Sequence, residues 1–174
     1  MQKHIATIRF TNKTWNENCQ FRHDHMKVNG CIYPVSSINS TIAHNSILYV
    51  IEMNNDTNQI MGIGIVQNKP NYNKYKVYEN DKYNTFSYIG RIRIDRSELN
   101  EEDEMELVEK LEKICFKGKG HLKRLKGMKL LSKKNIERIN IENANPSTPA
   151  NPSTPIVTLP SLLTAIETLI RSKR

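Results

Sequence analysis

The chain has 174 residues with 26 Lys and Arg against 18 Asp and Glu, which gives a formal net charge of +8. This length predicts one domain plus a tail, with a core large enough to need no metal or disulfide. No apolar run approaches the ~20 residues of a membrane span, and the first ten residues lack the apolar stretch of a secretory signal. Three cysteines at no framework spacing are typical of reduced thiols. We therefore expect an intracellular, cytoplasmic or nuclear protein that is neither a membrane protein nor a disulfide-stapled secreted module.

The first half of the chain is rich in strand signals. Residues 4–10 predict a strand, whereas residues 11–30 are polar and predict irregular structure. Residues 47–53 (ILYVIEM) form an apolar β-branched run, which is typical of a strand buried on both faces. An Asn-rich turn and the partner strand 59–66 (QIMGIGIV) complete a predicted hairpin.

Two glycines in the second strand of this hairpin share one face of the predicted sheet. Gly62 and Gly64 lie two residues apart, so they leave that face without side chains and permit a helix or a ligand to approach closely. Further strands are predicted at residues 75–78 and 86–94, the second of which alternates well between its two faces.

An acidic amphipathic helix is predicted after residue 99. Asn100 is the expected N-cap, because four acids follow it in the first turn, where the helix dipole favours carboxylates. The helix is expected to end at Gly118 or Gly120. Its core stripe is predicted to comprise Met105, Val108, Leu111 and Cys115.

Acidic and basic residues segregate sharply along the chain. Residues 95–112 hold nine of the 18 acids, and residues 117–134 hold eight Lys or Arg and no acid. Glycines between the cations would allow backbone N–H groups near a phosphate, although the segment could equally be a solvated flank of the acidic helix. We predict nucleic-acid contact, because a solvated face ordinarily mixes charge signs. The predicted phosphate-binding residues are Lys117, Lys119, Lys123, Arg124 and Lys126.

The last part of the chain predicts a linker followed by a short helix. Residues 145–155 are an imperfect repeat rich in Pro, Ser and Thr, which cannot form a packed core. The predicted organisation is a domain at 1–142, a linker at 143–160 and an amphipathic helix at 161–174. One face of that helix is apolar and could recruit a protein partner, an alternative function as an adaptor. This face comprises Leu162, Ile166, Leu169 and Ile170.

No short catalytic motif is present, and we expect a non-enzymatic protein without a cofactor. Cys19, His23, His25 and Cys31 lie within 13 residues, but their spacing matches no common zinc finger. A solvated loop with incidental thiols is favoured, so no metal site is predicted.

Aromatic residues supply a second indication of nucleic-acid binding. Trp15 lies in a polar stretch and Tyr33 precedes Pro34 at a loop-to-strand junction, so both are favoured for a pocket. Six further Tyr and Phe residues lie between positions 72 and 88 among Lys and Asn, a composition that suits base stacking. Packing in or around the core is the favoured interpretation for most of these six.

The order of these signals resembles a known superfamily. The first strand ends in ATIRFTN, and an Ile-aromatic pair then precedes small polar residues in CIYPVSS. The predicted hairpin follows in ILYVIEMNNDTNQIMGIGIV, and the strand in YIGRIRIDRSEL leads into the acidic helix. Over residues 4–96 this order is similar to that of the PUA-like superfamily, most of all its YTH and EVE branches. The resemblance implies an α/β (α+β) fold, with a curved mixed β-sheet or open barrel flanked by helices. The abundance of Asn, Ile and Lys is typical of an AT-rich genome, as in many large DNA viruses.

The resemblance also implies a function and a site. YTH domains bind single-stranded RNA and hold N6-methyladenine in an aromatic cage, so the resemblance implies a non-enzymatic protein that holds a flipped nucleotide. Tyr33 would take the place of the first cage tryptophan, Arg9 would contact ligand or phosphate, and Trp15, Tyr83 or Phe86 could close the cage. The predicted nucleotide pocket comprises Arg9, Thr11, Asn12, Trp15, Tyr33, Ser36, Asn54, Asn55 and Phe86. The partner would be nucleic acid, with RNA favoured over DNA, and no membrane. An enzyme of the related ASCH type, using Glu52 or Lys74, is the remaining alternative.

Overall fold

The structure is a computed structural model that describes residues 1–25, 30–35, 38, 42–124, 126–143 and 156–173. The strands are β1 (Lys3–Phe10), β2 (Cys31–Pro34), β3 (Ile47–Asn54), β4 (Gln59–Gln67), β5 (Ser87–Gly90), β6 (Ile92–Asp95) and β7 (Lys129–Leu130). The α-helices are α1 (Asn12–His25), α2 (Glu102–Phe116), α3 (Lys133–Asn143) and α4 (Leu159–Ser172). The expected α+β class is confirmed, and the described residues do not close into a barrel.

A five-stranded mixed sheet forms the centre of the fold. Its strand order is β6-β4-β3-β1-β7, with β1 and β3 parallel and the other neighbours antiparallel. The predicted hairpin is confirmed as β3 and β4. Phe10 pairs with Asn54, so β1 and β3 end at the same edge of the sheet, and the start of α1 and the hairpin turn follow there.

The sheet separates two hydrophobic cores, because successive strand side chains point to opposite faces. Tyr49 and Ile51 of β3 belong to a first core that includes residues of α2 and α4. Leu48 and Val50 belong to a second core, which Trp15 of α1 and the residues of β2 and β5 complete. β2 and β5 pair with each other as a separate two-stranded sheet.

Three sequence predictions need correction. Residues 12–25, predicted to be irregular, form α1, which buries few residues besides Trp15 and Asn18 and therefore shows little apolar periodicity. The predicted strand 86–94 is two strands in different sheets, and it divides after Gly90, where a Cβ would lie 1.9 Å from the Ile65 carbonyl oxygen. Residues 75–78 form no strand.

The acidic helix α2 begins and packs slightly differently from the prediction. Its N-cap is Glu101, not Asn100, because Glu101 and Glu104 form a reciprocal capping box. Met105 is 53% exposed and does not belong to the core stripe. The buried apolar residues of α2 are Leu107, Val108, Leu111, Ile114 and Cys115.

The terminal helix α4 packs on the chain's own domain. The four residues of its apolar face, Leu162, Ile166, Leu169 and Ile170, are all buried in the first core. Glu167 lies 2.8 Å from the Lys3 ammonium, and Lys173 lies 2.9 Å from Glu104. The face that suggested an adaptor is therefore not available to a partner in this structure. Residues 144–155 of the predicted linker lie outside the described residues.

No helix within the described ranges is long and apolar enough to cross a membrane.

Candidate functional site

A pocket of about 660 Å³ lies where β1 ends and α1 begins. Five residues between positions 78 and 85, together with Pro34, Val35, Asn55, Lys126 and Gly127, complete its walls. The cationic lining residues are Arg9, Lys13, Lys82 and Lys126, with Glu17 as the acid. The apolar and aromatic lining residues are Ile8, Phe10, Pro34, Val35, Tyr78 and Tyr83. The remaining lining residues are Thr11, Thr14, Asn55, Asn80, Thr85 and Gly127.

Arg9 brings a half-buried guanidinium to this pocket from the end of β1. Its Nη1 donates a hydrogen bond to the carbonyl oxygen of Lys123, whereas its buried Nε has no hydrogen-bond partner among the described residues. Burial lowers the pKa of Arg9, and the nearby Tyr83 hydroxyl opposes that shift. An arginine remains protonated at neutral pH, so Arg9 contributes a positive charge to the pocket that it lines.

The basic segment after α2 is anchored to the hairpin turn beside the pocket. Asn55 donates from Nδ2 to the Lys123 carbonyl at 3.0 Å, and the Lys123 ammonium donates to Asn58 Oδ1 at 2.6 Å. Gly127 adopts a φ of 69°, a left-handed conformation that favours glycine. Lys126 thereby reaches the pocket wall.

The other predicted phosphate-binding residues lie outside this pocket. Lys123 flanks it through the contacts above, and Lys119 and Arg124 are exposed. Lys117 lines a second, smaller cleft with Asn58 and the end of α2. Of the predicted set, the structure therefore brings Lys126 to the pocket wall and Lys123 beside it, and leaves the others elsewhere.

Tyr83 presents the exposed aromatic face of the pocket. Its side chain is 53% exposed, and its ring packs edge-on against Tyr78 at 6.1 Å between centroids. Asn84 holds the surrounding loop, because its Oδ1 accepts hydrogen bonds from the backbone of Val77 and Tyr78 at 3.1 and 2.9 Å. A fixed, half-exposed ring of this kind can stack on a nucleobase.

Tyr33 is not in the pocket, and the prediction of its position is wrong. The residue is fully buried, and its hydroxyl donates a 2.7 Å hydrogen bond to Glu52 Oε1. Its ring crosses β4 at Gly64, where a Cβ would lie 1.9 Å from the Tyr33 oxygen. The bare glycine face predicted from the sequence therefore receives this ring, and neither a helix nor a ligand.

Trp15 is also a core residue, and its assignment to the pocket is corrected. Its side chain is 9% exposed and packs edge-on against Phe10 at 5.2 Å. The guanidinium groups of Arg22 and Arg93 lie 5.4 and 5.3 Å from its ring centroid, within the range of cation–π contact. Its ring is therefore occupied by neighbours from its own chain.

The remaining predicted pocket residues divide between the pocket and its supports. Thr11 and Asn55 line the pocket with Arg9. Asn54 and Asn12 lie behind it, where the Asn54 amide donates to Asn12 Oδ1 at 2.9 Å and ties the hairpin turn to α1. Phe86 adjoins the pocket without lining it, and Ser36 lies outside the described residues.

A closed ionic cluster occupies the second core beside Tyr33. Glu52 is fully buried, and one of its oxygens lies 2.8 Å from Arg93 Nη2. Arg93 also contacts Asp95 at 2.7 Å. Although burial opposes its charge, these carboxylates raise the pKa of Arg93 above its ordinary value. Glu52 is thus a paired structural carboxylate, and neither Glu52 nor Lys74 lines the pocket.

No family model, curated protein or solved structure matches the chain. Within the described residues, no group of three or more His, Cys, Asp or Glu side chains is arranged to hold a metal ion.

Proposed function

We propose that this protein is a non-enzymatic binder of single-stranded nucleic acid, with RNA favoured, that receives one flipped nucleotide in the pocket beside Arg9. A concave site with an apolar floor and a few convergent polar groups is the usual form of a small-ligand site. A volume of about 660 Å³ falls within the ~300–1,000 Å³ typical of such sites.

The charge of the pocket supports a polyanionic ligand. Four cationic side chains line it against one acid, Glu17. The chain as a whole carries a net charge of +8. Lys and Arg that contact phosphates release condensed counterions, which supplies affinity without reading sequence.

One observation carries the proposal: the half-exposed Tyr83 ring and the Arg9 guanidinium, which has no carboxylate partner among the described residues, line the same pocket. In this arrangement Tyr83 replaces Tyr33 as the stacking residue, and Arg9 keeps the role that the family resemblance implies. N6-methyladenine remains the base that the resemblance favours, and the apolar wall of Ile8, Pro34 and Val35 is chemically compatible with a methyl group.

A titration of fluorescently labelled single-stranded RNA tests this proposal. Tyr83→Ala is expected to weaken binding by about 5- to 100-fold, because base stacking on an aromatic side chain contributes ~1–3 kcal/mol. The dependence of affinity on salt should change little, because no phosphate contact is removed. The measurement is fluorescence anisotropy at two or more salt concentrations.

Met105→Ala is the matched control, because Met105 has the same 53% exposure as Tyr83 but lies on the acidic helix α2. Its RNA affinity should equal that of the wild type. Wild-type affinity in the Tyr83→Ala variant, or no detectable RNA binding by the wild type, would refute the proposal.

A further inference from the structure

A second pair of aromatic side chains lies on the surface next to the pocket. Tyr72 is 74% exposed and Phe86 is 36% exposed. Their ring centroids are 5.3 Å apart and their planes meet at 73°, an edge-to-face pair. Contiguous exposed aromatic surface that is rimmed by polar residues is typical of an interaction site.

The backbone holds this pair in a fixed position. Asn71 and Ser87 exchange two hydrogen bonds, of 2.8 and 2.9 Å, as an isolated antiparallel bridge. Tyr72 follows one member of the bridge and Phe86 precedes the other. The Asn71 side chain also accepts a 2.9 Å bond from the backbone N–H of Asn73, which closes a tight turn around Tyr72.

The pair is continuous with the pocket wall. Thr85, the residue before Phe86, lines the pocket. Val35 also lines it, and the Val35 N–H donates a 2.9 Å hydrogen bond to the Phe86 carbonyl oxygen. A nucleic-acid chain that leaves the pocket past Thr85 would therefore reach the Phe86 and Tyr72 rings next.

The charge around the pair favours a polyanion over an apolar protein surface. Three lysines and no acid lie within five residues of Tyr72 in the sequence, and Asp81, Lys82 and Arg91 lie within five residues of Phe86. Lys74, two residues from Tyr72, is exposed. Aromatic faces interleaved with cations are the usual composition of a platform for single-stranded nucleic acid.

We propose that Tyr72 and Phe86 form a second stacking platform, which takes the base of the nucleotide adjacent to the one in the pocket. The ligand is then an oligonucleotide of at least two nucleotides, not a free nucleotide. This inference rests on the proposed function, since the pocket must hold the first nucleotide.

Ligand length tests the platform separately from the pocket. The probes are the four labelled homotetraribonucleotides, measured by anisotropy, and the four ribonucleoside 5′-monophosphates, measured by NMR titration. Tyr72→Ala is expected to weaken the best tetranucleotide by about 5- to 100-fold while leaving monophosphate binding unchanged. Tyr83→Ala should weaken both ligands. Tyr72→Phe keeps the aromatic ring and should bind the tetranucleotide with the affinity of the wild type.

Each alternative outcome has a defined meaning. If Tyr72→Ala binds the tetranucleotide as the wild type does while Tyr83→Ala loses affinity, the platform is wrong and the proposed function stands. Equal loss of both ligands in Tyr72→Ala would also overturn the platform, because Tyr72 would then act on the pocket itself. If the wild type binds no probe, both proposals fail, and capture of a protein in place of RNA would likewise contradict them. Because Tyr72 is 74% exposed, its truncation opens no core cavity, and circular dichroism would verify the fold.

Discussion

Two clusters in this protein place an arginine beside a tyrosine, and they differ in whether carboxylates of the same chain pair with the guanidinium group. In the second core, Arg93 contacts two carboxylates, and Tyr33 donates its hydroxyl to one of them. At the pocket, Arg9 donates a hydrogen bond to the Lys123 backbone carbonyl, and among the described residues no carboxylate pairs with it. Tyr83, beside it, is half exposed.

This difference distinguishes an arginine and tyrosine that stabilise the fold from an arginine and tyrosine that are available to bind a ligand. A buried arginine that is neutralised by carboxylates has no capacity left for an external anion, and its removal should affect folding. An arginine that lines an open pocket and has no carboxylate partner among the described residues retains that capacity, and its removal should affect binding. The predictions below test whether the two clusters separate in this way.

The largest expected effect is on stability, through Glu52→Gln. The substitution leaves Arg93 in the core with one carboxylate in place of two, and breaking a buried ion pair costs about 3–5 kcal/mol. Urea unfolding should show this loss in the free energy of unfolding. Glu106→Gln removes an exposed ion pair with Lys110 on α2 and should change stability by less than about 1 kcal/mol. Equal stability in the two variants would show that the closed cluster is not structural.

The two tyrosines provide a smaller and more direct comparison. Tyr33→Phe removes the hydrogen bond to Glu52 and should lower the free energy of unfolding by about 1.5–3 kcal/mol, because the acceptor is charged and buried. RNA affinity should not change, because Tyr33 lies outside the pocket. Tyr83→Phe should leave both quantities near those of the wild type, since its ring remains. Loss of RNA affinity in a folded Tyr33→Phe variant would contradict this assignment.

The sequence predicts the parts of the fold whose signals are local. The β3–β4 hairpin follows from a β-branched run, an Asn-rich turn and a second apolar run, all within 21 residues. Arg9 and Thr11, which the family resemblance implies for a nucleotide pocket, both line the pocket because it forms at the carboxyl end of β1. Asn55 lines the same pocket, since β3 is parallel to β1 and ends beside it.

The failures arise where the decisive partner is distant in sequence. CIYPVSS resembles a ligand-binding segment, but Gly64, 31 residues after Tyr33, provides the vacant face that draws this ring into the core. Trp15 lies in a polar stretch, yet Phe10 and Arg93 cover its ring. Lys13 and Lys82 were not predicted, because their place in the pocket depends on how α1 and the loop held by Asn84 fold.

The smallest expected effect concerns Glu79, an acid that pairs with one of the cations lining the pocket. Lys13, one of the four cations of the pocket, forms an ion pair with Glu79, and both side chains are largely exposed. Glu79 therefore competes with a phosphate for this ammonium. Glu79→Gln should raise RNA affinity by about two- to five-fold, the scale of an exposed ion pair, and should steepen the salt dependence by about one counterion.

The control and the pH dependence separate this local effect from net charge. Glu106→Gln makes the same charge change on α2, so its RNA affinity should rise less. The hydrogen bond and charge of Lys13 hold the pKa of the Glu79 carboxyl below its ordinary value of 4.5, so the carboxylate stays ionised as the pH falls toward that value. The affinity ratio between Glu79→Gln and wild type should therefore be the same at about pH 5.5 and about pH 7.5. A ratio that disappears at the lower pH would show that a different group, titrating between these values, competes for the ligand. An equal gain in RNA affinity in Glu79→Gln and Glu106→Gln would mean that Lys13 does not contact the nucleic acid.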